Sequence, residues 1–268
     1  MVTRYSFLVV AMLASAAPVT ADEMSAGTAT RGLVVHDATT VFQQYCALDS
    51  EGTLWLTLSG GQRFELITST LDPEIANPGD GSYHPFGLAE VETAIREIGF
   101  PLDGVAVEIY ILPYPRRGAL SSAAGPGLIL LSPGVRELTP EHQHAELVHE
   151  LGHTVQYAHM PDVDTEQWNA YRALRGITDD SIYSSGAPHE NRPHEIFAED
   201  FRVLFGGALA AGSGAIENHS LIPPVQVQGL REFISGLATS GILSPTVAVV
   251  SCICYAHTDR CGDVMLGS

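Results

Sequence analysis

Thr139-Pro140-Glu141-His142-Gln143-His144-Ala145-Glu146-Leu147-Val148-His149-Glu150-Leu151-Gly152-His153 is the stretch from which the fold is read. Thr139 is a good helix N-cap, Pro140 suits the first helical position, and Glu141 puts negative charge in the first turn. The helix started there is predicted to run to about Ala158, with Pro161 beyond it. On it His149 and His153 are i and i+4, one turn apart on one face. Both imidazoles can then reach one metal ion, and Glu150 beside them is suited to handle the proton of a metal-bound water. His142, Glu146, His149, His153 and Tyr157 share that face, while Ala145, Leu147, Val148, Leu151 and Val155 make the others apolar. A helix apolar over so wide an arc is buried on most sides. Buried His and Glu need partners, and a metal supplies one.

Zn2+ held by two His in a catalytic site needs a third protein ligand and an open position. The best candidate segment is Glu195-Ile196-Phe197-Ala198-Glu199-Asp200-Phe201-Arg202, within a helix predicted over Pro193–Phe205 and ended by Gly206-Gly207. Glu195 and Glu199 are again i and i+4, while Ile196, Phe197, Phe201 and Leu204 pack elsewhere. One carboxylate can ligate while the other accepts an N–H from a ligating His and fixes its tautomer. We assign Glu195 as ligand and Glu199 as acceptor, with the reverse order as the alternative. His142 and His144, in the first turns of the motif helix, are read as surface residues or neighbours of ligands, since three ligands fill a catalytic site. Arg116-Arg117 is read as a solvated loop tip, with the holding of acidic substrate side chains as the alternative. His36, His84, His219 and His257 are isolated and read as structural.

Outward from the motif, strands and helices are segregated. Leu54–Leu58 and Phe64–Ile67 flank Gly60-Gly61 as a hairpin, and Leu71–Pro85 is loop. Leu88, Val91, Ala94, Ile95 and Ile98 have helical spacing within Pro85–Gly99. Val105–Leu112 and Leu128–Leu131 read as strands around a loop at Pro113–Gly127. After the motif come helices over Trp168–Gly176 and Pro223–Leu237, a flexible stretch at 208–222, and a last strand at Thr246–Tyr255. The pattern is α+β. It suggests a small twisted sheet over a buried metal-binding helix, with a helical lower half. The divisions expected are 1–21, a signal peptide; 22–104, a strand and helix region; 105–240, the catalytic region; and 241–268, a strand with a Cys-containing tail.

Arg4, the apolar run Phe7–Ala17 and the small residues Val19-Thr20-Ala21 make up the signal peptide, so the mature chain is expected to be secreted or periplasmic. No other run is long and apolar enough for a membrane helix, so no membrane insertion is expected after signal cleavage. The net charge is −18, and all 13 basic residues are Arg. Such a chain is repelled by nucleic acid and by anionic membranes. Cys46, Cys252, Cys254 and Cys261 are even in number, which in an oxidising compartment suggests disulfides of undetermined connectivity.

His-Glu-Leu-Gly-His followed some forty residues later by Glu-Ile-Phe-Ala-Glu-Asp-Phe-Arg resembles the catalytic domain of anthrax lethal factor and the Pro-Pro endopeptidases related to it. That family's ligand helix reads Glu-Phe-Phe-Ala-Glu-x-Phe-Arg, matching here at Glu195, Phe197, Ala198, Glu199, Phe201 and Arg202. The resemblance covers about Val105 to Leu237. It implies a zincin fold of the gluzincin kind and zinc-dependent hydrolysis of a protein or peptide substrate, with Glu150 as general base. It also implies that the strand before the motif helix, Gly127, Leu128, Ile129, Leu130 and Leu131, takes up substrate as an added antiparallel strand. The family's oxyanion-donating Tyr would fall at Pro188, where this chain departs from the pattern. Tyr183, five residues earlier, is the expected donor, with His189 and His194 as competitors. The alternative from another class is a secreted zinc-binding or partner-binding module without catalysis.

Overall fold

The computed structural model describes residues 28–30 and 32–240. The signal segment, the strand expected at 246–255, and Cys252, Cys254 and Cys261 lie outside the described residues. Cys46 has no disulfide partner among those described.

The elements, in chain order, begin with β1 (Thr28–Thr30), β2 (Leu33–His36), the short helix α1 (Ala38–Thr40) and a π-helical turn at Val41–Tyr45. The Asp37 side chain caps α1 by accepting from the N–H groups of Thr39 and Thr40. Then come β3 (Cys46–Leu48), β4 (Leu54–Thr57), β5 (Arg63–Leu66), α2 (Leu88–Glu97), β6 (Val107–Ile111), β7 (Ala123–Gly125) and β8 (Leu128–Leu131). The helical half follows: α3 (Pro140–His159), α4 (Thr165–Arg175), α5 (Pro193–Phe205), α6 (Gly207–Ala211) and α7 (Leu230–Ser240). The α+β class is as expected.

A five-stranded sheet runs β1-β2-β6-β8-β7, and β3-β4-β5 form a separate antiparallel meander. In the larger sheet β2, β6 and β8 are parallel, while β1 and β7 are antiparallel edges. Strand alternation assigns its two faces. Val107, Ile109, Ile111, Ile129 and Leu131 join the main core with the helices. Tyr110, Leu112 and Leu130 point the other way and pack on Leu54, Leu56, Phe64 and Leu66 of the meander. The sheet is therefore covered on both faces, as parallel strands require. Because β2 pairs with β6 inside it, residues 105–240 do not complete the sheet alone.

The motif helix starts as read. The Thr139 hydroxyl accepts from the His142 N–H, and Pro140 is at its first turn. Leu147, Val148, Leu151 and Val155 are fully buried. Gly152 sets how closely α3 and α5 approach. A Cβ there would stand 2.9 Å from the Ala198 Cα and 3.2 Å from the Phe201 Cβ, distances that only glycine avoids.

Three readings are corrected. Arg116 is 1% exposed, with its guanidinium over the Phe64 ring and Nη2 donating to the Ser121 carbonyl at 2.9 Å. Arg117 pairs with Glu65, Asp72 and Glu74. The pair fastens the loop after β6 to the meander and is no solvated tip. His144 is fully buried against α2, with Nε2 3.1 Å from Glu90 and Nδ1 3.7 Å from Glu97, because α2 covers that side of α3. The expected loops at 113–127 and 208–222 contain β7 and α6.

Candidate metal centre

Three side chains converge where α3 crosses α5. The Nε2 atoms of His149 and His153 are 3.2 Å apart, and the Glu195 Oε2 stands 3.2 Å from the first and 3.1 Å from the second. Two nitrogens and a carboxylate oxygen form a nearly equilateral triangle. Ligand atoms about 2.0–2.1 Å from a tetrahedral zinc are separated by roughly 3.3 Å, so this donor set and its spacing fit that ion. Among the described residues these three side chains are the group of potential ligands whose atoms all lie within 4.8 Å of one another.

Glu195 is the carboxylate that faces the triangle, and Glu199 stands behind His149. Glu199 Oε1 lies 2.9 Å from His149 Nδ1, on the far side of the ring from the triangle. A carboxylate there accepts from Nδ1–H and leaves the Nε2 lone pair directed into the triangle. Glu199 is itself gripped by Arg202, whose Nε donates to Oε1 at 3.0 Å and Nη2 to Oε2 at 2.8 Å. Arg202 also donates to the Ala215 carbonyl at 2.9 Å, and the Glu217 N–H reaches Glu199 at 3.2 Å. Arg202 is i+3 from Glu199, a spacing visible in the sequence. The loop carbonyl and N–H left no sequence signal.

The electrostatics describe a site built for positive charge. Burial lowers the His149 imidazole, but hydrogen bonds with Glu195 and Glu199 outweigh it and hold the group up at about 10. Burial dominates for His153 and keeps it below its ordinary value. Burial raises Glu195 and Glu199, but the hydrogen bonds from His149, joined by His153 at the first and Arg202 at the second, win. Glu195 lies far below the usual carboxylate range and Glu199 at about 2. One imidazolium between two carboxylates is the charge balance that a cation and two neutral imidazoles would replace. Glu150 differs: burial pushes its carboxyl up to about 8, opposed by the charge of His149.

The triangle opens into a cavity of about 790 Å³. Its walls include Glu146, Glu150 and Tyr157 from α3, His189 and Arg192 from the segment before α5, and Ser121–Ala124 at β7. The expected substrate strand is corrected here. Gly127–Leu131 contains β8, which is hydrogen-bonded on both sides, to β6 and β7. The strand edge at the cavity is β7, hidden in the sequence because Ser121-Ser122-Ala123-Ala124-Gly125 carries no alternation of apolar residues. Tyr183 lies apart from this group of cavity residues. It packs against the main core, its carbonyl accepts from Arg172, and it is absent from the cavity lining. His189 lines the cavity: Nε2 is 3.2 Å from the Glu195 Oε2 and Nδ1 is 2.7 Å from Glu217. His194, the other competitor, lines the wall but is engaged with Asp162 at 2.8 Å.

No family model, no curated protein and no solved structure matches this chain. Among the described residues no helix is long and apolar enough to cross a membrane.

Proposed function

We propose that this protein is an exported zinc-dependent endopeptidase of zincin architecture. The observation that carries the reading is the triangle of His149, His153 and Glu195 donor atoms, with Glu150 on the same cavity wall.

His149 and His153 would hold the ion through Nε2, and Glu195 through a carboxylate oxygen. When bound, zinc supplies a Lewis acid that polarises the scissile carbonyl and acidifies water. Glu150 takes the proton of the attacking water and delivers it to the leaving amine. Its burial supports this role, since a raised pKa lets one carboxyl both accept and release a proton near neutrality. Glu217 orients His189 through Nδ1, so that Nε2 can donate to the carbonyl oxygen as charge develops there. An extended peptide would pair with the free edge of β7, whose preceding residues line the cavity. Export rests on the Arg4 and Phe7–Ala17 pattern of the leader.

The test is a peptide-library digest by the mature protein, run beside Glu150→Gln and beside chelated protein with zinc restored. Chelator-sensitive cleavage is expected. Glu150→Gln should keep its zinc and lose about 10²–10⁴-fold in turnover. Undiminished turnover by that variant, or by stripped protein, refutes the reading. A folded, zinc-loaded protein that cleaves nothing would favour a non-catalytic zinc-binding module.

A further inference from the structure

Resting on the peptidase reading, we propose that Glu146 makes the site selective for peptides with an Arg or Lys side chain beside the scissile bond. Glu146 is three residues before His149 and four before Glu150, so it lies one turn up the same helix face, with neighbouring Cβ atoms about 5–6 Å apart. It lines the cavity and is partly buried. It is also near enough to Glu150 for its charge to disfavour ionisation there.

The remaining carboxylates of the cavity wall are already engaged. Glu195 faces the two ligating imidazoles, and Glu199 faces His149 and Arg202. Asp162 pairs with His194 and Glu217 with His189. Glu150 is committed to proton transfer. Glu146 makes no hydrogen bond or ion pair with any described residue. A carboxylate on the cavity wall without a partner is a position that a cation entering the cavity can pair with. The chain leaves room for one. Ala145 beside Glu146, and Ala123 and Ala124 on the strand edge, also line the cavity, and none has a side chain long enough to fill it. The net charge of −18 acts in the same direction, drawing cationic peptides toward the cleft before contact.

Citrulline keeps the shape of Arg without its charge, so matched Arg and citrulline peptides isolate the charge. Both are digested by the zinc-loaded wild type and by Glu146→Gln. The wild type should favour Arg over citrulline by about 10–100-fold in kcat/KM, the range of a charge-assisted contact. Glu146→Gln should bring that ratio close to one. The ratio cancels any general effect of Glu146 on the acidity of Glu150. A second arm uses the zinc-loaded Glu150→Gln protein as a binder and compares its retention of Arg and citrulline libraries with and without Glu146→Gln. Equal retention by the parent binder, or an unchanged preference after Glu146→Gln, overturns the proposal whether or not cleavage occurs. Absence of chelator-sensitive cleavage, with an Arg preference that depends on Glu146 in the binding arm, would instead sink the peptidase reading and leave the subsite standing.

Discussion

Glu199 and Asp200 are adjacent on α5, about 100° apart around the helix, and belong to two different ionic clusters. Glu199 joins His149 and Arg202 at the edge of an open cavity. Asp200 is sealed in the core, accepting from the Tyr171 hydroxyl at 2.8 Å and from Arg175 Nε at 2.9 and 3.1 Å. The Asp200 and Arg175 side chains are both 0% exposed. Burial pushes the Asp200 carboxyl up to about 6, against the pull of Arg175. Two Arg175 nitrogens, Nη1 and Nη2, have no partner among the described residues. Buried charge therefore does not by itself mark chemistry. At Asp200 the carboxylate is matched by Tyr171 and Arg175 and sealed from solvent. At Glu199 the contacts orient a ring whose other nitrogen stands with His153 and Glu195 at the cavity. The difference separates a structural ion pair from a site.

The largest expected effect breaks the sealed cluster. Arg175→Met leaves Asp200 buried without its counter-charge and should cost about 3–5 kcal/mol of stability, read by urea denaturation. Adding Asp200→Asn should recover much of that loss, because the amide still accepts from Tyr171 and carries no charge. Zinc affinity of the folded fraction should not move in either variant. A parallel fall in zinc affinity would mean that the two sides of α5 act as one network.

The next effect is on pH. His149, raised to about 10, contributes stability to the metal-free fold that is fully present below its unfolded value near 6.5. That contribution is lost as pH rises through about 10. Glu199, lowered to about 2, contributes above the ordinary carboxylate value near 4.5 and is lost as pH falls toward 2. Zinc has to displace the His149 proton, so its affinity should rise about tenfold per unit, or roughly 100-fold from pH 6 to pH 8, with one proton released. The melting temperatures of zinc-loaded and stripped protein should therefore diverge as pH rises. Titration calorimetry in buffers of different ionisation enthalpy counts the proton, and a count of zero would contradict a protonated His149.

What the sequence revealed follows from which signals are local. The motif helix, its cap and the two pairs at i and i+4, His149 with His153 and Glu195 with Glu199, were legible because helical spacing fixes a shared face. Which of Glu195 and Glu199 stands nearer the two imidazole Nε2 atoms was not fixed by spacing, since i and i+4 are symmetric; the structure puts the Glu195 Oε2 there. The edge strand at Ala123–Gly125 was not, because its small residues show no period and it is a strand only by pairing with β8. Leu33–His36 was missed for a related reason: four residues gain their place in the sheet from β6, more than seventy positions away. Arg116 read as solvated because nothing nearby announces Phe64, the ring beneath its guanidinium. His189 was visible as a residue, but its orientation by Glu217 spans a loop whose path no local pattern sets.

The smallest effect compares the two neighbours by the same substitution. Glu199→Gln keeps an oxygen for His149 Nδ1–H but loses the charge that strengthens that bond and raises the basicity of the ring. Arg202 should stay in place, because it also donates to the carbonyls of Ala210 and Ala215. The fold should therefore survive, and zinc affinity should fall about tenfold, the lower end of what losing such an orienting partner costs. Asp200→Asn, one residue along, removes the same charge from the sealed face and should leave zinc affinity where it was. Competition of each variant against a chelator of known affinity reads both numbers. Equal losses would show that α5 transmits charge changes to the triangle without regard to face. A loss confined to Glu199 would show that the imidazole bond, and not the burial of the carboxylate, ties this helix to the metal.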